Sequence, residues 1–220
     1  MKRIICYGDS NTWGYNPEDG SRYDENTRWT SLLQKMLGDG YQVVECGING
    51  RSTAFDEPFR ECRNGCKGIG YVLLENAPVD LLIVSLGGND LKYTTAAPSA
   101  KGLRALLREV VHSAVLDSKN RSLFRKETKI LVVSPIPLGA GFDERFPDSL
   151  FYGKREESLR FAEFYRPVCK LFDADFLDAA QYAKASEIDL LHMDKDSHKH
   201  LAEAIYKKVM AMFQTDEEKR

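Results

Sequence analysis

Four residues from three well-separated segments of the sequence carry the side chains that acyl transfer requires. Ser10 has a hydroxyl that can act as a nucleophile, His192 an imidazole that can act as a base, and Asp189 a carboxylate that can orient the base. Asn89 has an amide that can donate hydrogen bonds to an oxyanion. Nucleophilic catalysis uses an oriented base to activate a hydroxyl, and amide donors stabilise the negative charge that develops on the carbonyl oxygen. These residue types therefore predict an acyl-transfer site, on condition that the fold brings them together.

Each of these residues also has an ordinary structural explanation. A serine after a strand is usually a turn residue or a helix cap, and the stretch Gly87-Gly88-Asn89-Asp90 has the composition of a turn. Asp189 lies three residues before His192 and can simply cap the last helix. The hypothesis therefore depends on the elements that position these residues.

Apolar segments predict five strands that alternate with helices. The predicted strands are residues 2–7, 41–46, 79–86, 129–134 and 175–178. The predicted helices are residues 29–37, a helix that ends near residue 76, one that runs from Ser99 as N-cap to about residue 116, one that begins near residue 155 and is broken or kinked by Pro167, and residues 197–213. This alternation predicts an α/β fold, a three-layer α/β/α sandwich whose five-stranded parallel sheet has the flavodoxin-like order 2-1-3-4-5. We assign residues 1–213 to a single domain and residues 214–220 to a charged C-terminal tail.

The predicted sheet would bring the candidate residues together. Ser10 follows the first strand, Gly50 the second and Asn89 the third, and the segment from Asp189 to His192 lies beyond the fifth. The carboxyl ends of parallel strands share one edge of the sheet, and that edge is where α/β proteins bind their ligands. We therefore expect one site at this edge.

The composition argues against several classes of function. The 220 residues carry 31 basic and 33 acidic side chains, a net charge of -2, which gives no argument for a nucleic acid or an anionic membrane as partner. No apolar stretch approaches a membrane span, and the apolar run near the N-terminus is too short for a signal peptide. Because the five cysteines are odd in number and scattered, we expect a reduced, cytoplasmic protein.

The remaining histidines and cysteines predict no metal site, and no cofactor is expected. Cys62 and Cys66 are separated by three residues and have no second pair, so a zinc site is not expected. His198 and His200 lie two residues apart on the predicted last helix and point to different faces. We expect His198 beside the site or at the surface, His200 at the surface, and His112 packed or exposed on its helix. The chain also lacks the Gly-x-Ser-x-Gly elbow and a phosphate-binding Gly-x-x-x-x-Gly-Lys loop.

Four segments together resemble the sequence blocks of the SGNH hydrolases, also called GDSL-type esterases, over about residues 2–213. The blocks are Gly8-Asp9-Ser10, Gly50, Gly87-Gly88-Asn89-Asp90 and Asp189-Leu190-Leu191-His192. Asn11 stands where the family has leucine, at a position that is not catalytic in the family. A closer resemblance is to the branch of bacterial arylesterases and acyltransferases, in the segments Ser10-Asn11-Thr12-Trp13-Gly14, Arg28-Trp29, Arg51-Ser52-Thr53 and Asp56-Glu57-Pro58.

The resemblance implies a serine esterase that hydrolyses short acyl groups from ester substrates, or transfers them if the site is dry enough to favour alcohols over water. Ser10 would be the nucleophile, His192 the base and Asp189 the residue that orients it. The oxyanion hole would be formed by the backbone N–H groups of Ser10 and Gly50 and by the side chain of Asn89, with a glycine at 50 to let backbone approach the reacting oxygen. The resembling branch contains oligomers, and a homo-oligomer is compatible with the sequence.

Two other functions stay open at this point. A non-catalytic flavodoxin-like module could bind a nucleotide or phosphate at the strand ends, although such a module has no need of the base His192. A metal-dependent phosphoesterase would need more ligands than the segment 192–200 supplies.

The substrate is less well defined by the sequence than the reaction. Asn11, Trp13, Phe142 and Phe146 are the predicted substrate-binding residues of a narrow, apolar pocket for short acyl chains or aryl leaving groups. The alternative is that these aromatic residues pack the structured loop or lid at 138–154, or a subunit contact. Acetylated sugars, aryl esters and thioesters are all candidate substrates.

Overall fold

A five-stranded parallel sheet forms the centre of the fold. The computed structural model describes residues 1–113 and 124–217. Its strands are β1 (Lys2–Gly8), β2 (Tyr41–Gly47), β3 (Val79–Ser85), β4 (Phe124–Val133) and β5 (Asp175–Leu177). Their order is β2-β1-β3-β4-β5, and every neighbouring pair is parallel. The predicted α/β fold class and strand order are confirmed.

The helices lie between the strands and cover both faces of the sheet. The longer ones are α2 (Trp29–Leu37), α3 (Gly65–Glu75), α4 (Ala96–Ser113), α7 (Phe161–Leu171) and α8 (Lys195–Glu217). Three single turns, α1 (Ser10–Trp13), α5 (Phe142–Arg145) and α6 (Arg155–Ser158), and two 3-10 turns, Gly88–Lys92 and Ala179–Gln181, complete the set. None of the helices in the described part of the chain is long and apolar enough to cross a membrane.

The side chains of β1 alternate between two apolar cores. Ile5 and Tyr7 belong to the core that contains residues of α3, α4 and α7. Ile4 and Cys6 belong to the core that contains residues of α2 and α8. All four side chains are fully buried, and this burial on both faces explains the continuously apolar sequence of the strand.

Two predicted helix boundaries are wrong, and in both cases the reason is a contact or an exposure that the local sequence does not reveal. Ser99 is not an N-cap, because α4 begins at Ala96, whose backbone N–H donates to the Glu157 carboxylate at 2.9 Å. Pro167 lies inside α7 without ending it. Pro167 and Glu163, the residue whose carbonyl loses its helical donor, are both exposed, so water can satisfy that carbonyl. The chain instead breaks between α6 and α7.

The other differences concern the ends of elements. Strand β4 begins at Phe124, five residues before the predicted start, and α8 continues to Glu217, so residues 214–217 of the predicted tail are helical. The predicted end of the helix at residue 116 lies outside the described residues. The assignment of residues 1–213 to one domain stays a prediction.

The end of β2 determines where α1 can lie. Gly47 pairs with Gly8 in the parallel register of β2 and β1. A Cβ atom added to Gly47 would lie 2.2 Å from the backbone nitrogen of Trp13 and 2.6 Å from its Cα, so the backbone of α1 packs directly against this glycine. Because α1 begins with Ser10, the absence of a side chain at Gly47 helps to fix the position of Ser10.

We therefore expect Gly47→Ala to destabilise the protein by about 1–3 kcal/mol, since the clash is with backbone that cannot rotate away. Urea unfolding would measure this loss. Gly40→Ala is the matched control, because a Cβ atom there would meet nothing within 4 Å and the residue does not have a positive φ. Equal stabilities of the two variants would contradict the proposed packing constraint.

Candidate active site

Three of the predicted site residues form a continuous hydrogen-bonded chain. Ser10 Oγ lies 2.9 Å from His192 Nε2, and His192 Nδ1 lies 2.6 Å from Asp189 Oδ2. Ser10 is supplied by α1 immediately after β1, whereas Asp189 and His192 come from the loop before α8. The arrangement contains a hydroxyl, a base within hydrogen-bond reach of it, and a carboxylate that orients the base, which is the geometry of an activated nucleophile.

The carboxylate of Asp189 also organises the turn that carries His192. Its Oδ1 accepts hydrogen bonds from the backbone N–H groups of Leu191 at 3.0 Å and His192 at 2.9 Å, and from Ser186 Oγ at 3.1 Å. Leu190 adopts a positive φ of 56°, a left-handed conformation that keeps the turn tight. Burial raises the pKa of Asp189, but the hydrogen bonds from His192 and Leu191 and the charge of His192 outweigh it and lower the pKa below its usual value.

Two further contacts hold His192 against the segment that carries Ser10. The ring of Tyr15 stacks on the imidazole, with the two centroids 4.1 Å apart and the planes 30° apart. Asn11 Oδ1 accepts the backbone N–H of Met193 at 2.9 Å. Sequence reasoning missed the contact of Tyr15, because a tyrosine in a polar loop gives no sign of what it stacks on.

The predicted oxyanion donors lie at the ends of β2 and β3. Asn89 is 8% exposed, and its Nδ2 donates to the backbone carbonyl of Arg51 at 3.2 Å, which ties it to the residue after Gly50. Gly50 has a φ of 82°, a conformation that favours glycine. A Cβ atom at Gly50 would meet nothing closer than 3.5 Å, so conformation rather than the predicted close approach accounts for the glycine.

Buried carboxylates brace this edge of the sheet. Asp90, which is fully buried, accepts hydrogen bonds from Thr53 N–H at 2.8 Å, Thr53 Oγ1 at 2.6 Å and Ser99 Oγ at 2.6 Å. Burial raises the pKa of Asp90 to about 6 although these donors oppose the shift. Asp9 accepts the N–H of Asn11 at 3.0 Å, and burial raises its pKa to about 6 as well. Asp9 therefore fixes the turn after β1, whereas Asp90 ties the loop after β2 to α4.

A cavity of about 40 Å³ adjoins Ser10 and is largely apolar. Asn89, Asn11 and His192 line it near Ser10. Its apolar lining comes from the segments after β3 and β4, from the loop 138–154 and from α7, and includes Leu91, Pro135, Ile136, Leu138, Phe151 and Phe161. The small volume of this cavity leaves room for only a small chemical group.

The three predicted substrate-binding aromatics, Trp13, Phe142 and Phe146, do not line this cavity. Phe142 is 3% exposed and packs against Phe146 and Phe151, with ring centroids 5.2 Å and 6.2 Å away. The guanidinium carbon of Arg22 lies 5.6 Å from the centroid of the Trp13 ring. The packing alternative therefore describes Phe142 and Phe146, and Phe151 is the aromatic residue of the loop that reaches the cavity.

The other histidines are separate from this chain of hydrogen bonds. His198 is fully buried, and its Nδ1 accepts the backbone N–H of Trp29 at 3.4 Å. Burial lowers the pKa of His198 to about 3, so the ring is neutral. Of the two expected positions, beside the site or at the surface, the surface is wrong. His200 and His112 are exposed. Within residues 1–113 and 124–217, no three His, Cys, Asp or Glu side chains are grouped so that they could hold a metal ion.

The raised pKa of Asp90 predicts a pH dependence of stability. Between pH 3.8 and about 6 the folded protein retains a proton on Asp90 that the unfolded chain has released. The native state therefore binds more protons in this window, and Asp90 lowers the free energy of unfolding as the pH rises. In Asp90→Asn this decrease should be smaller by about 1–3 kcal/mol.

Urea unfolding at several pH values would test this prediction. Asp148→Asn, which removes an exposed carboxylate, serves as the control and should follow the wild type. If Asp90→Asn has the same pH dependence as the wild type, the buried carboxylate does not titrate as described.

Comparisons with known proteins agree with this geometry. The sequence profile of the GDSL-like lipase/acylhydrolase family matches residues 6–208. No curated protein sequence matches the chain significantly.

Solved structures resemble the chain over nearly its whole length. A carbohydrate acetylesterase family member from Sinorhizobium meliloti is 34% identical, with a TM-score of 0.85 over 96% of this chain and 99% of the other. The native aryl esterase of M. smegmatis is 30% identical, with a TM-score of 0.86 over 96% of this chain and 100% of the other. A putative arylesterase from Agrobacterium tumefaciens is also 30% identical, with a TM-score of 0.82 over the same shares.

Proposed function

Because the chain belongs to the GDSL-like lipase/acylhydrolase family and is a serine ester hydrolase, we propose that it removes short acyl groups from ester substrates through Ser10, His192 and Asp189. The observation that carries this proposal is the hydrogen-bonded chain from Ser10 Oγ through His192 to Asp189 Oδ2. A non-catalytic binding module would have no use for a base held in this way, so the esterase is favoured over that alternative.

The proposed reaction proceeds in two steps. Ser10 Oγ attacks the ester carbonyl carbon while His192 Nε2 accepts the hydroxyl proton, and the imidazolium then donates that proton to the departing alcohol as the C–O bond breaks. In the second step His192 Nε2 accepts a proton from a water molecule as the water oxygen attacks the acyl carbon. The imidazolium then returns that proton to Ser10 Oγ as the bond between the acyl group and Oγ breaks and the carboxylic acid leaves. Asp189 holds the tautomer in which Nδ1 carries a hydrogen and stabilises the charged ring.

The proposed oxyanion hole uses donors from three strand ends. These are the backbone N–H groups of Ser10 and Gly50 and the Nδ2 group of Asn89. The hydrogen bond from Asn89 to the Arg51 carbonyl fixes the amide before a substrate arrives, and a donor that is already oriented needs no reorganisation in the transition state.

The size of the cavity supports an acetyl or similarly short acyl group. Its wall contains Ile136, Leu138 and Phe151, which are all nearly buried, so a longer chain would require them to move. The similar proteins named as acetylesterase and aryl esterase agree with such a substrate. Transfer of the acyl group to an alcohol is part of the proposal, because the apolar wall limits the water that reaches the acyl group.

The location and the assembly are proposed from the sequence. The odd and scattered cysteines support the reducing cytoplasm, and the near-neutral net charge of -2 argues against a nucleic-acid or membrane partner. We leave open a homo-oligomer, which is compatible with the resembling branch.

The serine mechanism predicts that Ser10→Ala lowers kcat for p-nitrophenyl acetate by at least about 10⁴-fold, because the triad acts as a unit. The assay contains EDTA, so that hydrolysis dependent on a metal does not contribute. Ser21→Ala, in an exposed loop, is the control and should retain wild-type kcat. Substantial hydrolysis by Ser10→Ala would show that another group is the nucleophile.

The cavity predicts a preference for short acyl chains. The wild type should prefer p-nitrophenyl acetate to the butyrate by at least about tenfold in kcat/KM, since two added methylene groups must enter a nearly filled space. Ile136→Ala removes part of the cavity wall and so enlarges the cavity, which should reduce the preference for acetate over butyrate.

Leu37→Ala is the matched control for the preference, since Leu37 on α2 has the same 9% exposure as Ile136 but does not line the cavity. It should keep the wild-type ratio of acetate to butyrate. An unchanged ratio in Ile136→Ala would mean that the acyl group binds elsewhere.

A further inference from the structure

Three basic side chains lie around the proposed oxyanion hole. They are Arg60, Arg63 and Lys92, here termed the basic rim. A Cβ atom placed on Gly50 would lie 3.5 Å from Cδ and Nε of Arg63, so this side chain adjoins the oxyanion glycine. Lys92 Nζ lies 5.6 Å from the ring centroid of Phe151, a residue of the cavity wall.

The members of the basic rim are close enough to act on one another. Burial lowers the pKa of Lys92, Arg60 and Arg63 lower it further, and Glu57 and Asp9 oppose the shift. Asp9 directly precedes the proposed nucleophile and lines the same cavity as Phe151, so Lys92 interacts with two residues of that cavity.

The negative charge of the protein compensates this rim only in part. Glu57 Oε1 is 3.8 Å from Arg60 Nε, a weak ion pair. Glu57 Oε2 and Arg63 Nε are both buried without a hydrogen-bond partner, and both lie within 3.6 Å of the same point beside Gly50. Within the described residues, neither Arg63 nor Lys92 has an ion-pair partner.

This arrangement has an energetic cost. A buried polar atom without a partner forgoes its hydrogen bond, and half-buried cations of like sign repel one another. Three positive charges here face two negative ones, those of Glu57 and Asp9, in a chain whose net charge is -2. A ligand with a negative group would supply the missing partners, and charges at the wall of a cleft attract such a ligand.

We propose that the substrates are esters whose alcohol part carries a negatively charged group, a carboxylate or a phosphate, bound by Arg63 and Lys92. The acyl group is assigned to the small apolar cavity, so the alcohol part must lie outside it. The basic rim is also outside this cavity, next to Gly50 and Phe151. This inference rests on the proposed function and specifies its substrate class. Arg60 adds to the attraction, and its pairing with Glu57 leaves it the weaker contributor.

The experiment compares two aryl acetates that differ in one charge, 3-acetoxybenzoate and its neutral methyl ester. The measured quantity is the ratio of their kcat/KM values, each corrected for the rate of hydrolysis by hydroxide. Arg63→Gln and Lys92→Gln should each lower the ratio of anionic to neutral ester by about tenfold, because a charge-assisted contact is lost. Lys92→Arg keeps the charge and should retain most of the ratio.

Two controls distinguish a binding role from a structural one. Lys101→Gln removes an exposed cation on α4 and should leave the ratio at the wild-type value. Added salt should lower the ratio of the wild type, because it screens the attraction, and should affect the double variant Arg63→Gln/Lys92→Gln much less. A rim that only supports the buried Asp9 would change the rates for both esters together and leave the ratio as it is.

The outcomes separate this inference from the proposed function. If the wild type hydrolyses both esters through Ser10 but its ratio is the same as that of the rim variants, the inference is overturned and the esterase stands. If neither ester is hydrolysed in a manner that depends on Ser10, the proposed function itself fails.

Discussion

Parallel pairing of β1 with its two neighbours is the constraint on which the site depends. The register places Gly8 opposite Gly47 on one side and opposite Ser85 on the other, so the three strands end at the same level. The loops that follow these strands therefore lie together at one edge of the sheet. The candidate nucleophile and the candidate oxyanion donors come from these three loops, and the loop before α8 adds the base across 182 residues of sequence.

The loops at this edge are held by buried polar groups rather than by apolar packing. Asp90 binds Thr53 from the loop after β2 and Ser99 from α4, and Ser99 Oγ lies 2.8 Å from the hydroxyl of Tyr165 in α7. Tyr165 in turn donates to the carbonyl of Leu86 at the end of β3. Burial of a carboxylate is costly, which the raised pKa of Asp90 reflects, but a fully bonded network fixes one arrangement of loops. The unfavourable burial of the Asp90 carboxylate therefore occurs where the loops of the site must be held in one arrangement.

The sequence predicted those features that depend on short segments. The five strands and the helix over residues 29–37 follow from apolar runs and periodicity, because burial on one or both faces leaves its pattern in the local sequence. The order of the strands follows from their alternation with helices. The proximity of Ser10, His192 and Asp189 was predicted from the polar residues that follow the strands. Features that depend on partners distant in sequence were missed. The first residue of α4 donates to Glu157, and Ser99 donates to Asp90. A local sequence pattern does not show these contacts, nor does it show that Pro167 lies on an exposed face.

The same distinction explains why the reaction is easier to predict than the substrate. The proposed chemistry needs few atoms, and each is held by a short block such as the turn that Asp189 closes around His192. Selectivity depends on how separate segments meet. In the loop 138–154, Phe151 lines the cavity, whereas Phe142 packs against Phe151 and does not line it. Arg63 contacts the space beside Gly50 and belongs to a segment with little periodicity. In the proposed mode of binding, the apolar cavity holds the acyl group and the basic rim holds the alcohol part, so the selectivity for either part can change without altering the groups that react.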